Sequence, residues 1–455
     1  MTQSFTYVDF KKNVRAHIKT NSLIDATRYY DISFMEKEWQ SIWTKTWLFA
    51  GLASDLSKSG DFFMFNIGRE SILITRTENE EIRAFYNACQ HRGNKIVNVE
   101  HGSVNKISCP YHGWTYDLDG KLKAVPDKER FTIKLPCSEK NLKEVRIGIW
   151  AGMIWINMDM EAMNFDSFIG LIKKRLEPYH FEKMLLIKHQ TVSLEANWKT
   201  VRDNFLEQYH VDFIHPQHAS IVDCHNSVNE MFPYGHSCSM VQGSVTNSRY
   251  PIPEEVPDFL IPSLKGVGLN PKEFKGKVGE IRRILQKKKR KLGKELGFDY
   301  SEFNDGQITD VWQYDIFPNT FMTIQAEELW IYGPSPHSFD PNKCSFTKWT
   351  LQVKDDLLID KKRGINLVNR WDDSSANSQE KLLNGIRPEH EIYRREDILS
   401  GKYSMTPTID QDIQYLNDMQ SGLHSRGFKT AVLNEDEQRV QHFHNWLDYW
   451  IDSSS

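Results

Sequence analysis

The chain is poor in cysteine and has no long apolar run. Its six cysteines, at positions 89, 109, 137, 224, 238 and 344 of 455, are too sparse for a disulfide framework. No apolar stretch approaches the roughly 20 residues that a membrane-spanning helix needs. Residues 1–5 lack the basic-then-apolar pattern of a signal peptide. These absences predict a soluble, cytoplasmic protein with reduced thiols and no membrane partner, in which the cysteines other than 89 and 109 are buried.

The chain also lacks a strong charge of either sign. Lys and Arg number 57 against 61 Asp and Glu, a net charge of −4, whereas a nucleic-acid-binding protein is expected to be strongly basic. We therefore expect no nucleic-acid partner. The sequence has no Gly-x-Gly-x-x-Gly fingerprint of a flavin or nicotinamide site, so any electrons from NADH or NADPH must arrive through another protein.

Two short stretches each combine one cysteine with one histidine. Cys89 and His91 lie in the first, Cys109 and His112 in the second, and 17 residues separate the two. Two sulfur and two nitrogen ligands suit an iron–sulfur cluster with one all-cysteine and one bis-histidine iron, and also a tetrahedral zinc site. The order Cys-His…Cys-His favours the cluster, because zinc motifs usually group Cys with Cys and His with His.

The pattern of apolar and polar residues changes along the chain, and this change predicts two main domains. Residues 46–160 contain short runs of alternating apolar residues and an Asp-Gly turn at 119–120, which predict strands, hairpins and a small all-β domain. Helical and strand-like segments alternate over residues 161–455, beginning with a helix at 165–179, which predicts a larger α+β domain. Residues 1–45 are expected to be a helical segment that packs on this larger domain.

A basic run, 287–291, lies within residues 276–296. Apolar residues at 281, 284, 285 and 292 have helical spacing, so we interpret the run as the solvated face of a helix. Docking of an acidic electron carrier is the functional alternative.

A second candidate metal site contains His210 and His215. Two histidines five residues apart point about 140° away from each other on a regular helix, so they can share an ion only if the helix is distorted or ends between them. Pro216 favours an ending. Metal ligation also needs a third ligand and an open coordination position. On spacing alone, a structural or surface role is the commoner outcome for such a pair.

The sequence around both sites resembles one family. Residues 88–93 (Ala-Cys-Gln-His-Arg-Gly) and 109–114 (Cys-Pro-Tyr-His-Gly-Trp) resemble the two loops of a Rieske [2Fe–2S] domain. Residues 197–215 resemble the mononuclear-iron motif of Rieske oxygenase α-subunits, which reads Asn-Trp-Lys…Asp/Glu-Asn…Asp/Glu-x-x-His-x₄-His. The resemblance extends over nearly the whole chain. It implies an α+β fold, in which an all-β cluster domain precedes a catalytic domain with an antiparallel sheet and helices around the mononuclear iron.

The resemblance also implies which side chains bind the metals. The cluster ligands are Cys89, His91, Cys109 and His112. Ferrous iron is held by a triad of two histidines and one carboxylate, which leaves positions free for dioxygen. The histidines are His210 and His215, and the carboxylate belongs to a downstream acidic residue near a helix start. We choose Asp412, which opens the helical register Ile413, Leu416, Gln420 and Leu423, with Asp410 as the fallback.

Glu207, one turn before His210, has an implied role in electron transfer. In the family, an acid at this position bridges a cluster histidine and an iron histidine across a subunit boundary. The path would run from His112 of one protomer through Glu207 to His210 of its neighbour, with the carboxylate accepting the free N–H of each ring. Many ring-dihydroxylating members carry Asp here, and Glu also occurs in relatives that oxidise quaternary amines. Asn204, in the same motif, is our second candidate catalytic residue.

The implied protein is the catalytic α-subunit of an oxygenase that uses O₂ and electrons from NAD(P)H. We expect it to hydroxylate, and specifically to dihydroxylate, an aromatic or other hydrophobic substrate; monooxygenation or oxidative demethylation of a non-aromatic or quaternary-amine substrate is the alternative. The expected partners are an NAD(P)H-dependent reductase, with or without a ferredoxin, and further subunits in an α3 homotrimer or an α3β3 assembly. A Rieske electron carrier would need only about 100 residues, and a zinc-binding regulator would contain no iron.

The substrate pocket is expected beside the iron ligands. An aromatic-lined, apolar cavity would suit an aromatic ring, whereas an aromatic cage with a nearby acid would suit a cation. The residues that we expect to line it are Asn204, Phe205, Phe213, Ile221 and Met231.

Overall fold

The computed structural model describes residues 23–220, 222–368 and 387–453. It divides the chain into a smaller unit, Lys37–Arg175 with His337–Phe339, and a larger unit formed by Met1–Glu36, Leu176–Pro336 and Asp340–Ser455. Of the helical segment expected at 1–45, residues 1–22 lie outside the described part. The remainder contains the helix Ile32–Glu38, which continues as one π-helical turn, Trp39–Trp43.

An antiparallel sheet of seven strands forms the body of the smaller unit. In sheet order its strands are Leu48–Leu52, Met153–Asn157, Glu144–Trp150, Ile82–Tyr86, Glu70–Arg76, Asp61–Ile67 and His101–Ser103. A second, three-stranded sheet consists of Ile107–Ser108, Thr115–Tyr116 and Leu122–Ala124. The predicted all-β character is therefore confirmed. The buried residues between the sheets form a core that includes Cys89, Cys109, Trp114 and Tyr116, so the two cysteines lie in the interior.

The helix predicted over residues 165–179 is interrupted. It forms as Phe165–Ile169 and Leu171–Leu176, followed by a 3₁₀ turn, Glu177–Tyr179. Gly170 separates the two helices with φ 54° and ψ −128°, a conformation that only glycine adopts readily. The apolar residues have helical spacing on both sides of this break, so the sequence pattern predicted one continuous helix.

An eight-stranded sheet forms the centre of the larger unit. In sheet order its strands are Val228–Met231, Ser237–Val241, Val311–Ile316, Thr320–Ile324, Glu328–Pro336, Cys344–Gln352, Leu185–Leu194 and His390–Arg394. All neighbouring strands are antiparallel except the last pair, which is parallel. Two small ladders pair Leu23–Asp25 with Thr430–Val432 and Ile359–Asp360 with Ile365–Asn366.

Helices accompany this sheet, as the predicted α+β class requires. They are Trp198–Leu206, Val211–Ile214, Ile261–Gly266, Ile281–Leu296, Asp305–Thr309, Arg395–Leu399, Pro407–Leu423 and Gln438–Ser453. A buried ion pair joins one of them to the sheet: Arg202 lies 2.5 Å from Asp315, and the two side chains are 0% and 1% exposed. Among the described helices, we find none with the length and apolar character needed to cross a bilayer.

The helix Pro407–Leu423 begins earlier than the sequence pattern predicted. Thr406 caps it by accepting a hydrogen bond from the amide of Ile409, and Pro407 occupies the first helical turn, where proline costs no hydrogen bond. Asp412 therefore lies inside the helix, in its second turn, and does not open it. The buried face of this helix consists of Ile409, Asp412, Ile413, Leu416 and Gln420.

The helix predicted around the basic run forms as Ile281–Leu296. The prediction of a solvated basic face is wrong for one member of the run. Lys289 is 1% exposed, and its Nζ lies 2.8 Å from Oε1 of Glu327. Tyr300 donates a hydrogen bond to the same carboxylate oxygen. A buried ammonium needs such a partner, because an unpaired charge in the interior is strongly destabilising.

Candidate active site

Two loops of the smaller unit share one backbone conformation. The amide of Cys89 donates to the carbonyl of Asn94 at 2.9 Å, and the amide of Gly93 donates to the carbonyl of Cys89 at 2.9 Å. In the second loop, the amides of Cys109 and Gly113 make the equivalent two bonds at 2.8 and 3.0 Å. Both glycines have left-handed φ, 75° and 69°, which a side chain would strain. The repeated pattern Cys-x-x-x-Gly is the local signal for this fold.

The loops bring the four predicted cluster ligands together. Cys89 and Cys109 are 3% and 2% exposed, and burial, together with its neighbour Cys109, raises the pKa of the Cys89 thiol against the lowering effect of the Tyr116 hydroxyl. The Nδ1 atoms of His91 and His112 face each other at 3.2 Å. Two buried sulfurs and two imidazole nitrogens on paired loops are the donor set that a [2Fe–2S] cluster of mixed ligation requires.

Surrounding residues hold these ligands in place. The ring of His91 stacks on Trp114, with centroids 5.0 Å apart and planes 6° apart. Burial lowers the pKa of His91, and electrostatic interactions with His112, Arg92 and Lys140 lower it further. The Tyr116 hydroxyl lies 3.4 Å from Sγ of Cys89 and accepts a hydrogen bond from the amide of residue 90 at 3.0 Å.

The second candidate site depends on a helix that ends. Asn197 caps the helix Trp198–Leu206, and the chain becomes extended at Glu207, with φ −131° and ψ 166°. A new short helix, Val211–Ile214, then begins directly after His210. The predicted ending between the two histidines is observed at Ile214, because His215 is the C-cap of this short helix. The earlier break at Glu207, before both histidines, was not predicted. The rings of His210 and His215 lie with their centroids 5.3 Å apart.

His210, His215 and Asp412 form a compact group. Their nitrogen and oxygen ligand atoms all lie within 4.8 Å of one another. Oδ1 of Asp412 is 3.5 Å from Nε2 of His210 and 3.2 Å from Nε2 of His215. This buried oxygen makes no hydrogen bond with the described residues, a costly state unless a cation compensates it. The donor set is that of a two-histidine-one-carboxylate ferrous site, so these residues fit an iron ion. Their role as its ligands stays a prediction.

The fallback residue, Asp410, points elsewhere. Its carboxylate accepts hydrogen bonds from the hydroxyl of Ser404 at 2.5 Å and from the amide of Met405 at 2.9 Å. Burial raises its pKa, against the lowering effect of these hydrogen bonds. The structure therefore brings Asp412, rather than Asp410, to the histidines.

The Nδ1 atoms of the two histidines have different partners. Nδ1 of His210 lies 2.5 Å from Oε1 of Glu207. Burial works against protonation of His210, but the hydrogen bond and charge of Glu207, with the charge of Asp412, outweigh it and raise the pKa of His210. Nδ1 of His215 lies 2.8 Å from Oε1 of Gln411, a neutral partner that our reading of the sequence missed.

A cavity of about 190 Å³ opens beside this group. Of the predicted pocket residues, Asn204 and Phe205 line it. The prediction is wrong for Phe213, which is 68% exposed on the short helix. It is also wrong for Met231, since this residue does not contribute to the described lining. Ile221 lies outside the described residues.

Eight of the residues that line the cavity belong to the eight-stranded sheet, and the sequence prediction included none of them. Gln313, Thr323 and Trp330 form one cross-strand row, because Gln313 pairs with Thr323 and Thr323 with Trp330. Glu328 and Tyr332 lie on the same face as Trp330, two residues to either side of it. The indole N–H of Trp330 donates to Glu328 at 2.6 Å. Alternation at 328, 330 and 332 was the available signal, since a strand repeats every two residues.

Two family models match the chain. The model described as Ring hydroxylating alpha subunit (catalytic domain) matches residues 181–453. The model described as Rieske [2Fe-2S] domain matches residues 46–143. Together they include all nine site residues that were selected from the sequence.

Several curated proteins are similar over part of their length. The glycine betaine monooxygenase oxygenase subunit of Pseudomonas aeruginosa is 33% identical over 189 residues, 42% of this chain and 44% of that protein. The carnitine monooxygenase oxygenase subunit of Escherichia coli is 35% identical over 195 residues, 42% of this chain and 52% of that protein. The biphenyl 2,3-dioxygenase α-subunit of Rhodococcus jostii is 29% identical over 197 residues, 41% of this chain and 42% of that protein. The aligned region thus spans about half the length of these relatives.

Solved structures share the fold at lower identity. A quaternary ammonium Rieske monooxygenase has a TM-score of 0.66 at 17% identity, covering 95% of this chain and 96% of that chain. A naphthalene 1,2-dioxygenase variant also has a TM-score of 0.66, at 18% identity, covering 95% of this chain and 93% of that chain. The same architecture therefore occurs in proteins whose names give different substrates.

Proposed function

The chain belongs to the family of ring-hydroxylating α-subunits, and on that premise we propose that it is the catalytic subunit of an oxygenase that inserts oxygen from O₂ into a small substrate. Family membership and the Rieske domain confirm the predicted cofactors, a [2Fe–2S] cluster and a mononuclear iron. The observation that carries the proposal is the buried group of His210, His215 and Asp412 beside a cavity.

Each cofactor has a set of side chains that would hold it. Cys89, Cys109, His91 and His112 would hold the cluster. When bound, the cluster supplies single electrons and the ferrous iron supplies the position at which O₂ reacts. The Glu207 carboxylate accepts a hydrogen bond from Nδ1 of His210, and Nε2 of the same ring faces Asp412. Asn204 is buried on the cavity wall, and its Nδ2 has no hydrogen-bond acceptor among the described residues. It can therefore donate to a substrate.

We further propose that electrons cross between protomers at Glu207. The support from this chain is that the carboxylate is 13% exposed while it contacts His210, so a second copy can reach it. A path of this kind requires an assembly, either an α3 ring with heterologous contacts that close or an α3β3 complex. A separate NAD(P)H-dependent reductase, with or without a ferredoxin, would deliver the electrons to the cluster.

The cavity wall favours a cationic substrate, such as a quaternary amine, for monooxygenation or oxidative demethylation. Three carboxylates line the cavity, from Glu207, Glu328 and Asp412, and none of the described lining residues is Lys or Arg. The ammonium of Lys348 already lies over the Trp330 ring, 4.0 Å from its centroid. Because this ring already contacts one cation, we assign recognition of a cationic substrate mainly to the Glu328 carboxylate. The similarity to glycine betaine and carnitine monooxygenases agrees with this choice.

Dihydroxylation of an aromatic ring is the second candidate function. Phe205, Trp330 and Tyr332 supply aromatic surface to the same cavity, and planar apolar substrates pack well on such walls. Similarity to the biphenyl dioxygenase α-subunit supports this candidate.

Metal analysis and isotope labelling test these proposals. We expect about three irons per chain, two with acid-labile sulfide in the cluster and one mononuclear; zinc without iron would contradict the proposal. Turnover with ¹⁸O₂ and a panel of quaternary amines and arenes should place one labelled atom in the product of a monooxygenation and two in that of a dihydroxylation. Glu328→Gln should raise KM for a quaternary amine but not for its neutral carbon isostere. Equal KM changes for both compounds would reject the cation site.

A further inference from the structure

Gln411 precedes Asp412 in the helix Pro407–Leu423 and contacts His215 on the edge of its ring that faces away from Asp412. Its Oε1 lies 2.8 Å from Nδ1 of His215, whose side chain is 2% exposed. Gln411 thus contacts Nδ1 of this imidazole, and Asp412 lies near Nε2 of the same ring. One helical segment therefore controls both ends of this ring.

A second glutamine fixes the orientation of the Gln411 amide. Nε2 of Gln217 donates to Oε1 of Gln411 at 2.9 Å, and Nε2 of Gln411 donates back to Oε1 of Gln217 at 3.3 Å. Turning only one of the two amides would set nitrogen against nitrogen and oxygen against oxygen. In this reciprocal pair, Oε1 of Gln411 is the atom that faces His215, and the ring donates a hydrogen bond to it from Nδ1.

The hydrogen bonding of Asp412 agrees with this tautomer. If His215 carried its proton on Nε2, that proton would have no acceptor, because Oδ1 of Asp412, although 3.2 Å away, accepts no hydrogen bond among the described residues. The Nε2 lone pair is therefore directed towards the space that His210 and Asp412 also face.

We infer that Gln411, held by Gln217, is a positioning residue that keeps His215 as the Nδ1–H tautomer, with Nε2 available to the metal. The inference rests on the proposed function only in naming the ion as ferrous iron. The two histidines then have unequal supports, a charged carboxylate behind His210 and a neutral amide behind His215. Since a carboxylate partner increases the basicity of an imidazole more than an amide does, His210 is the stronger donor of the two.

Ferrous-iron affinity, measured by chelator competition without oxygen, tests this inference separately from turnover. Loss of an outer partner of a metal-bound histidine typically costs 10–100-fold in affinity, so Gln411→Leu should weaken iron binding by about that factor. Gln411→Glu retains an acceptor for Nδ1, and because that acceptor is a carboxylate the variant should bind iron at least as tightly as the wild type. Gln414→Leu, at an exposed position of the same helix, is the matched control and should bind as wild type.

The visible absorbance of the cluster and the melting temperature report whether each variant folds. Wild-type affinity in Gln411→Leu, or a loss in Gln411→Glu as large as in Gln411→Leu, would overturn the inference. His215→Ala separates it from the proposed function. If His215→Ala retains iron, the iron site itself is wrong; if it loses iron while Gln411→Leu does not, only the role of Gln411 is wrong.

Discussion

The carboxylate of Glu207 lies 2.5 Å from Nδ1 of His210. Glu207 directly follows the helix Trp198–Leu206, which contains the preceding part of the motif. Its second oxygen accepts a hydrogen bond from the His210 amide at 3.2 Å. One side chain therefore fixes both the backbone at the start of the short helix and the orientation of the imidazole. A change at Glu207 must act on ring geometry and on ring charge together.

Glu207→Gln should leave both metals bound but slow electron transfer to the mononuclear site. The amide oxygen can still accept a hydrogen bond from Nδ1 of His210, but the amide has no negative charge to stabilise an imidazolium and cannot take up a proton. We expect the rate of cluster reoxidation, after mixing the reduced protein with substrate and O₂, to fall by about 10–100-fold. Glu435→Gln, at an exposed position, is the control. A wild-type reoxidation rate in Glu207→Gln would refute the bridge.

Asp412→Ala and Asp410→Ala should differ in their effect on metal content. Asp412 is the carboxylate near both histidines, so its loss should remove the mononuclear iron and turnover while the cluster spectrum persists. Asp410 bonds Ser404 and Met405 instead, so its loss should retain the iron and lower stability by about 1–2 kcal/mol. Iron analysis after gel filtration decides; retention of the mononuclear iron by Asp412→Ala would contradict our assignment.

Tyr116→Phe should lower the reduction potential of the cluster without changing its iron content. The hydroxyl lies 3.4 Å from Sγ of Cys89, and hydrogen bonds to ligand sulfurs stabilise the more negative, reduced state of a cluster. Redox titration followed by electron paramagnetic resonance would measure the shift. An unchanged or higher potential would show that the hydroxyl does not donate to this sulfur. Tyr111→Phe, at an exposed ring in the second loop, is the control.

Asp315→Asn should destabilise the larger unit strongly. The pair with Arg202 is almost fully buried at 2.5 Å, so removing the carboxylate charge leaves a buried guanidinium without its counter-ion. Breaking such pairs costs about 3–5 kcal/mol. The double change Arg202→Met with Asp315→Leu should recover part of this loss, because it removes the buried charge of Arg202, although the buried guanidinium of Arg439 also loses the Asp315 carboxylate. Thermal unfolding of the three proteins measures both effects. If the double variant were no more stable than Asp315→Asn, the buried charge would not be the cause.

His442 should make the protein less stable as the pH falls through mildly acidic values. Its Nε2 lies 3.0 Å from the carbonyls of Phe232 and His236, and burial lowers its pKa although these carbonyls oppose the shift. The unfolded chain therefore takes up this proton first, below a pH of about 6.5, and stability decreases until the folded-state pKa is reached. His442→Gln should show a smaller loss of melting temperature between about pH 7.5 and 5.5. An identical pH dependence would contradict this prediction.

Local sequence was enough to anticipate the loops and the ending helix. The two cysteine loops close on themselves through bonds between residues four and five positions apart, so the motif contains nearly all the information that shapes them. The helix end between His210 and His215 was likewise predictable, because two histidines five residues apart do not share a face of a regular helix and a proline follows the second. The earlier break between Leu206 and His210 was not predicted.

Contacts between distant segments were not anticipated. Glu328 and Trp330 reach the cavity only because their strand pairs in one particular register with Thr320–Ile324, and a shift of one residue would turn them to the other face. Gln411 was overlooked beside Asp412 because its partner, His215, is 196 positions away. The exposure of Phe213 follows from the brevity of its helix, Val211–Ile214, which spacing alone did not reveal.

The ion pair between Lys289 and Glu327 has a consequence for chemical labelling. An amine reagent must reach the nitrogen that it modifies. The side chain of Lys289 is 2% exposed and its ammonium contacts a carboxylate, whereas Lys287 and Lys291 on the same helix are exposed. Acetylation of the folded protein should therefore modify Lys287 and Lys291 and spare Lys289.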